Sequence, residues 1–125
     1  MIIMKKYSLF IGRWQPWHEG HRWLIDQRLK EGKNVWIGIR DVEPNDKQPW
    51  TPHEILVNLE KELNDLIGEG RVFISIVPDI ESINYGRGVG YDIIEHVPPS
   101  DIKEISATRI REQMRKDGTI ISRKL

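Results

Sequence analysis

An α/β fold with a parallel sheet is predicted by two features of this 125-residue sequence. Short runs of β-branched and aromatic residues alternate with longer segments whose apolar residues recur at helical spacing. This alternation is typical of strands joined through helices by right-handed crossovers, which makes the strands parallel. No repeat, linker or low-complexity tract interrupts the pattern, and the length suits one domain. We therefore assign residues 1–125 to a single α/β domain.

The first three predicted elements form a strand, helix, strand unit. Residues 7–12 and 34–40 are short apolar runs closed by turn residues, as in buried strands. Residues 20–31 between them carry leucine and isoleucine on one helical face, and Gly32 is the expected stop.

The second predicted helix has the clearest start signal in the chain. Thr51, Pro52 and Glu54 supply an N-cap hydroxyl, a proline at the first helical position and the glutamate of a capping box. Leucine and isoleucine then recur at helical spacing as far as residue 67, and residues 71–78 follow as a third strand.

The last part of the chain predicts one more strand and one more helix. Residues 91–97 form the fourth predicted strand. The final helix is expected to begin near Ser106, where Ile105 and Ile110 occupy the positions of a hydrophobic staple, and to end at Gly118.

Composition excludes several classes of protein. There is no cysteine, so disulfides, thiolate metal sites and a cysteine nucleophile are excluded. The apolar start at residues 1–4 is too short for a signal peptide or a membrane span, which predicts a cytoplasmic protein without membrane contact. The 19 basic and 19 acidic residues cancel, which argues against a protein that wraps nucleic acid.

The charges are nevertheless unevenly distributed. Residues 1–40 hold eight basic and three acidic residues, residues 41–100 hold four and twelve, and residues 101–125 hold seven and four. If the fold brings the two basic ends together, a small anion can bind between them. An unevenly charged solvated surface explains the same counts.

The turn after the first predicted strand is the first candidate site. Gly12 and Gly20 permit close backbone approach, and His18 and His21 lie three residues apart at a helix start. A helix N-terminus carries unpaired amides and about half a positive charge, which suits a phosphate. The spacing departs from the zinc-binding helix motif, whose histidines are four residues apart, so we predict no metal ligand among the protein side chains.

The start of the last predicted helix is the second candidate site. Ser106, Thr108 and Arg111 gather two hydroxyls and a guanidinium there, which also suits a polyphosphate. Taken alone, Ser106 is better explained as an ordinary N-cap.

Both candidate sites resemble motifs of one family. Residues 12–21, GRWQPWHEGH, are similar to the G-R-F-Q-P-F-H-x-G-H form of the HxGH motif, with tryptophan in place of phenylalanine twice. Residues 105–111, ISATRIR, resemble the I-S-x-T-x-I-R motif of the same nucleotidyltransferase superfamily. That superfamily includes nicotinamide mononucleotide adenylyltransferases, phosphopantetheine adenylyltransferase and glycerol-3-phosphate cytidylyltransferase.

The resemblance implies a Rossmann-like domain that transfers a nucleoside monophosphate from an NTP to a phosphorylated acceptor and releases pyrophosphate. Mg²⁺ would bridge the substrate phosphates, and the protein would form a homodimer or a larger homo-oligomer. By the same resemblance His18 and His21 contact the phosphates, with His21 stabilising the transition state, and Lys47 is a catalytic residue unless it is merely a solvated lysine. The implied nucleotide and phosphate contacts are Gly12, Arg13, Trp14, Gln15, His18, Gly20, His21, Ser106, Thr108 and Arg111.

The substrates remain open at this point. The form of the first motif favours ATP, whereas the compact size resembles that of cytidylyltransferases that use CTP and a polyol or amino-alcohol phosphate. The chain also departs from larger family members between residues 78 and 105, where Tyr85, Gly86 and Arg87 form either an acceptor or base loop or a flexible surface loop. A nucleotide-binding regulatory module without catalysis is the remaining alternative.

Overall fold

The fold is a three-stranded parallel sheet flanked by helices. The computed structural model describes residues 5–103 and 107–117, and of residues 107 and 108 the backbone only. The elements in chain order are β1 (Tyr7–Gly12), α1 (Glu19–Leu29), β2 (Asn34–Asp41), α2 (Pro52–Glu62), α3 (Asn64–Gly68), β3 (Val72–Pro78), α4 (Ser100–Lys103) and α5 (Ala107–Lys116). The predicted α/β class with parallel strands is confirmed.

The sheet has β2 at its centre. Phe10 of β1 lies opposite Ile37 of β2, and Ile37 lies opposite Ile74 of β3, both in parallel register. Because all three strands run in the same direction, their carboxyl ends meet at one edge, where ligands bind in open α/β sheets. The turn between β1 and α1 lies at this edge.

The hydrophobic core is built around β2 and the two helices that connect the strands. Ile37 of β2, Ile25 of α1 and Leu59 of α2 are completely buried. Side chains alternate along a strand, so on β1 and β3 every second side chain points to the face of the sheet opposite the core. On that opposite face Leu9 and Phe73 stay 45% and 50% exposed, so the core lies on one side of the sheet.

Two element predictions differ from the structure. The predicted second helix is divided at Leu63, whose backbone leaves the helical region directly before Asn64 and Asp65, two residues of low helix propensity. The predicted fourth strand is wrong, because residues 91–97 form no strand and are largely exposed. A run of high β propensity still needs a neighbouring strand to pair with, and this run follows Gly88 and Gly90, both with φ of 78°.

Two further predictions are only partly covered by the described residues. Ile105, Ser106 and Gly118 lie outside them, so the start and end signals of the last helix stay predictions. That residues 1–125 form a single domain also stays a prediction. Among residues 5–103 and 107–117, no helix is long and apolar enough to cross a membrane.

Candidate active site

His18 forms the N-cap of α1 and is fixed by the backbone that follows it. Its Nδ1 accepts hydrogen bonds from the amide nitrogens of Gly20 at 3.0 Å and His21 at 3.4 Å. A Cβ on residue 20 would lie 2.8 Å from Cε1 of His18, so the close approach that Gly20 permits is to this imidazole. Since Nδ1 accepts, neutral His18 carries its proton on Nε2. Burial also lowers the pKa of His18.

His21 lies inside a cluster of aromatic rings. Its ring stacks on that of His18, with the ring centroids 3.7 Å apart and the planes 19° apart. Trp14 and Trp17 approach its other sides, with centroid separations of 5.0 and 5.5 Å. Burial, and secondarily the charge of His18, lower the pKa of His21 to about 3. His21 is therefore neutral near pH 7 and can donate one N–H to a ligand.

The His21 ring also leaves a polar atom without a partner. Its Nδ1 is buried and makes no hydrogen bond within the described part of the chain. A buried polar atom that lacks a hydrogen bond is costly, and such atoms are common at functional sites.

Trp14 and Gly12 pack the turn against the sheet. Trp14 is only 5% exposed, and its indole Nε1 donates to the carbonyl oxygen of Gly38 in β2 at 3.1 Å. The indole folds back over Gly12, where a Cβ would lie 3.1 Å from Cε2 of Trp14. The structure thus explains both residues by local packing, and their contact with a nucleotide stays a prediction.

Gln15 connects the turn to two other elements. Its side-chain Nε2 donates to the carbonyl oxygen of Trp50 at 2.9 Å, and its Oε1 accepts from the Trp50 amide at 3.2 Å. Its own carbonyl oxygen accepts a hydrogen bond from the guanidinium of Arg111 on α5. Sequence reasoning missed this role. The sequence signal for this role is the residue type, because a side-chain amide can donate to the carbonyl oxygen and accept from the N–H of the same main-chain residue.

A group of arginines surrounds the same turn. Burial lowers the pKa of Arg13, and the positive charge of Arg40 lowers it further, whereas Asp79 opposes the shift. Burial likewise lowers the pKa of Arg111, with the charges of Arg115 and then Arg13 adding to the effect. The structure therefore brings Arg13 and Arg111 within electrostatic reach of each other. Such mutual repulsion is relieved by a bound anion.

Sequence reasoning missed Arg40 and Arg115 in this group. Arg40 is the penultimate residue of β2 and forms a salt bridge with Asp79 at 2.7 Å. Arg115 follows Arg111 by one helical turn, and its NH2 atom is buried without a hydrogen bond in the described residues. The helical spacing of four residues was the available signal.

The remaining predicted site residues lie on exposed loops or outside the description. Lys47 is exposed, and its backbone amide donates to Oδ1 of Asn45 at 2.9 Å. Tyr85 is 65% exposed, and Gly86 and Arg87 beside it are exposed as well. Ser106 and the side chain of Thr108 fall outside the described residues.

Residues 85–87 lie apart from the histidines in the bonding pattern of the described residues. Within the described residues, no hydrogen bond, ion pair or ring contact links Tyr85 or Arg87 to the β1–α1 turn. In the same part of the chain, no three His, Asp or Glu side chains are arranged to hold a metal ion.

The fold and the site together define a class of enzyme. A histidine pair at the helix start after the first strand of a parallel sheet, in a turn that the buried Arg111 contacts, agrees with the nucleotidyltransferase class that the two motifs resemble. No protein-family model matches the chain. It is 31% identical to nicotinamide-nucleotide adenylyltransferase of Thermococcus sibiricus, in an alignment that covers 90% of this chain and 75% of the relative. The chain belongs to the nicotinamide-nucleotide adenylyltransferase family.

Other relatives bear the same name. The enzyme of Thermococcus kodakarensis is 27% identical over 92% of this chain and 61% of its own length. That of Caldivirga maquilingensis is 39% identical over 60% of this chain and 44% of its own length. The Thermococcus sibiricus alignment spans 141 positions but includes only 90% of the 125 residues of this chain, about 113, so about 28 positions hold residues of the relative alone.

Proposed function

We propose that this protein transfers the adenylyl group of ATP to the phosphate of nicotinamide mononucleotide and releases pyrophosphate. An acceptor phosphate oxygen attacks the α-phosphorus, the bond from that phosphorus to the bridging oxygen breaks, and pyrophosphate leaves with the bond's electron pair. The names of the relatives support transfer of an adenylyl group and a nicotinamide nucleotide as a substrate. The observation that carries the proposal is the stacked pair of His18 and His21 at the end of a turn that contains Arg13 and that Arg111 bonds through the Gln15 carbonyl oxygen.

The chemistry fits these residues. The acceptor phosphate is already an anion, so the reaction needs no strong general base, and catalysis rests on positioning and on stabilising negative charge. The neutral histidines suit this task, because His18 can donate from Nε2 and His21 can donate one N–H to the developing charge. Arg111, with Ser106 and Thr108, is proposed to hold the β- and γ-phosphates.

The remaining assignments belong to the same proposal. Lys47 contacts the phosphates from the loop between β2 and α2, and Tyr85 and Arg87 contact the acceptor or a base. The arginines around the turn do not form a resident cation site. Mg²⁺ fits this site only as an ion bound to the substrate phosphates, where it neutralises part of their charge.

Pyrophosphate release tests this proposal. The protein is incubated with Mg²⁺, ATP or CTP, and a panel of phosphorylated acceptors that includes nicotinamide mononucleotide. We expect turnover with ATP and the nicotinamide nucleotide. Turnover with CTP and a polyol phosphate would favour the cytidylyltransferase, and nucleotide binding without turnover would favour a regulatory module.

A histidine variant tests the assigned roles. His21→Ala removes a donor to the transition state, so we expect kcat to fall about 100-fold or more while KM for ATP changes little. His53→Ala is the matched control, because His53 is exposed on α2 and should leave kcat unchanged. An unaltered kcat in His21→Ala would remove His21 from the mechanism.

A further inference from the structure

The most completely bonded side chain of the candidate site is that of Gln15. It is 5% exposed, and both ends of its amide are bonded to the main chain of Trp50. The carbonyl oxygen of the same residue accepts from Arg111. Gln15 therefore joins the histidine turn, the β2–α2 loop and α5, which hold three of the groups assigned above.

The loop that Gln15 holds is the loop that carries Lys47. At its other end, Asn45 and Gln48 exchange backbone hydrogen bonds of 3.0 and 3.2 Å, and Oδ1 of Asn45 accepts from the amides of Lys47 and Gln48 at 2.9 Å. The main chain of Lys47 is thus closed into a turn on one side and fixed to the histidine turn, through Trp50, on the other.

We infer that Gln15 is a positioning residue, which sets where Lys47 and Arg111 stand relative to His21, and that it does not itself contact the nucleotide. This inference rests on the proposed function. The side chain is only 5% exposed, and its amide uses one N–H and one Oε1 lone pair on Trp50, so a nucleotide would have to displace the packed turn to reach it. A displacement of about 1 Å in a positioned group can lower a rate about 100-fold.

The test compares two glutamines that bond to tryptophan carbonyl oxygens. Gln15→Met keeps the volume of the side chain and removes both hydrogen bonds to Trp50. Gln27→Met is the control, because Nε2 of Gln27 donates to the carbonyl oxygen of Trp23 at 2.8 Å within α1. We expect Gln15→Met to lower kcat about 10-fold to 100-fold with a change of less than about threefold in KM for ATP, and Gln27→Met to change neither.

A double-mutant cycle separates positioning from a general loss of structure. Lys47→Ala should lower kcat in the wild-type background and have less than about a threefold effect in the Gln15→Met background, because the lysine is already misplaced there. Effects that multiply would overturn the inference. A KM for ATP that rises in proportion to the loss in kcat/KM would instead make Gln15 a nucleotide contact and would also overturn it.

A measurement without substrates tests the positioning of the β2–α2 loop separately from the proposed function. Hydrogen exchange of the Trp50 amide should be slow in the wild type and fast in Gln15→Met, with the β2 amides unchanged. If Gln15→Met does not fold, Gln15→Glu keeps the acceptor for that amide and serves as the second variant, with slow exchange but reduced kcat. Exchange that is equally slow in Gln15→Met overturns the inference, whereas a wild type without turnover overturns only the proposed function.

Discussion

The neutral state of His21 follows from what surrounds its ring. Trp14 and Trp17 exclude water from the imidazole, and the stacked ring of His18 would face a second positive charge at 3.7 Å if both were protonated. These two effects lower its pKa from 6.5 to about 3. A neutral imidazole at this position can donate a hydrogen bond to negative charge on a phosphate without a change in its own protonation state.

The same pKa shift predicts a pH dependence of stability. Because the folded pKa of His21 lies below the unfolded value, the unfolded chain binds a proton that the folded chain excludes between pH 6.5 and about 3. The contribution of neutral His21 to the free energy of unfolding is fully present above pH 6.5 and is lost as the pH falls through this window. We expect a slope of less than about 1.4 kcal/mol per pH unit from this group, since the ring is only partly buried.

Urea unfolding of the wild type and His21→Phe, at about pH 7 and about pH 4.5, measures this slope. Phenylalanine keeps an aromatic ring in the stack and cannot bind a proton, so the free energy of unfolding should decrease less on acidification in the variant. The carboxylates that titrate in the same range are common to both proteins and cancel in the comparison. Equal decreases would show that His21 titrates normally in the folded state.

Individual site residues could be predicted from the sequence only where a motif marks them. His18, His21, Arg13 and Arg111 were predicted this way, and the structure stacks His18 on His21 and brings Arg13 within electrostatic reach of Arg111. The hydrogen bonds of Gln15 could not be predicted, because its partner Trp50 is 35 residues away and a side-chain amide accepts almost any polar neighbour.

At the scale of elements, the start of α1 shows why the motif has glycine between its two histidines. The imidazole of His18 folds back to accept from the second and third following amides, and this brings its ring edge into the space of a residue-20 Cβ. Two of the amides at this helix start are therefore already bonded. The candidate phosphate site then depends on the histidine rings and the arginines as much as on the helix terminus.

This arrangement predicts that Gly20→Ala and Gly68→Ala change stability in opposite directions. At Gly20 a Cβ would lie 2.8 Å from His18, so the imidazole must leave its cap, and we expect a loss of about 1 to 3 kcal/mol in the free energy of unfolding. At Gly68, at the end of α3, nothing lies within 4 Å, and alanine should stabilise by up to about 1 kcal/mol.

Denaturant unfolding of both variants measures the two changes. A second readout is the His18 imidazole resonance in NMR, which should shift only in Gly20→Ala. If Gly20→Ala is as stable as the wild type with an unshifted His18, the cap does not depend on glycine.

The elements themselves could be predicted where the signal is local. The capping box of α2 is confirmed, with Oγ1 of Thr51 accepting from the Glu54 amide and Oε1 of Glu54 accepting from the Thr51 amide, both at 3.1 Å. All of its atoms lie within four residues of each other, so the sequence contains the whole motif. The fourth strand failed because pairing depends on a distant neighbour, which no local pattern of residues 91–97 reveals.

At the scale of the whole molecule, the fold gathers arginines from both ends of an overall neutral chain around the β1–α1 turn. Arg13 belongs to the basic N-terminal part of the chain and Arg111 to the basic C-terminal part. Arg111 donates a hydrogen bond to the carbonyl oxygen of Gln15, although 96 residues separate them. The sequence was compatible either with close approach of the two basic parts of the chain or with charges scattered over the surface. Only the crossing of α5 to the β1–α1 turn decides between them, and that contact is not encoded in any local pattern.

This charge distribution predicts that nucleotide binding weakens with salt although the net charge is zero. Raising the ionic strength from about 50 mM to about 300 mM shortens the screening length below about 10 Å, so the attraction between the arginines and a triphosphate falls. We expect Kd for a non-hydrolysable ATP analogue, measured calorimetrically, to rise several-fold. Arg13→Gln should weaken binding at low salt and reduce this salt dependence, because one of the attracting charges is gone. Lys61→Gln, which removes an exposed charge near the end of α2, should leave the dependence unchanged. An affinity that ignores salt, or that responds equally to both variants, would place the triphosphate away from the arginines of the β1–α1 turn.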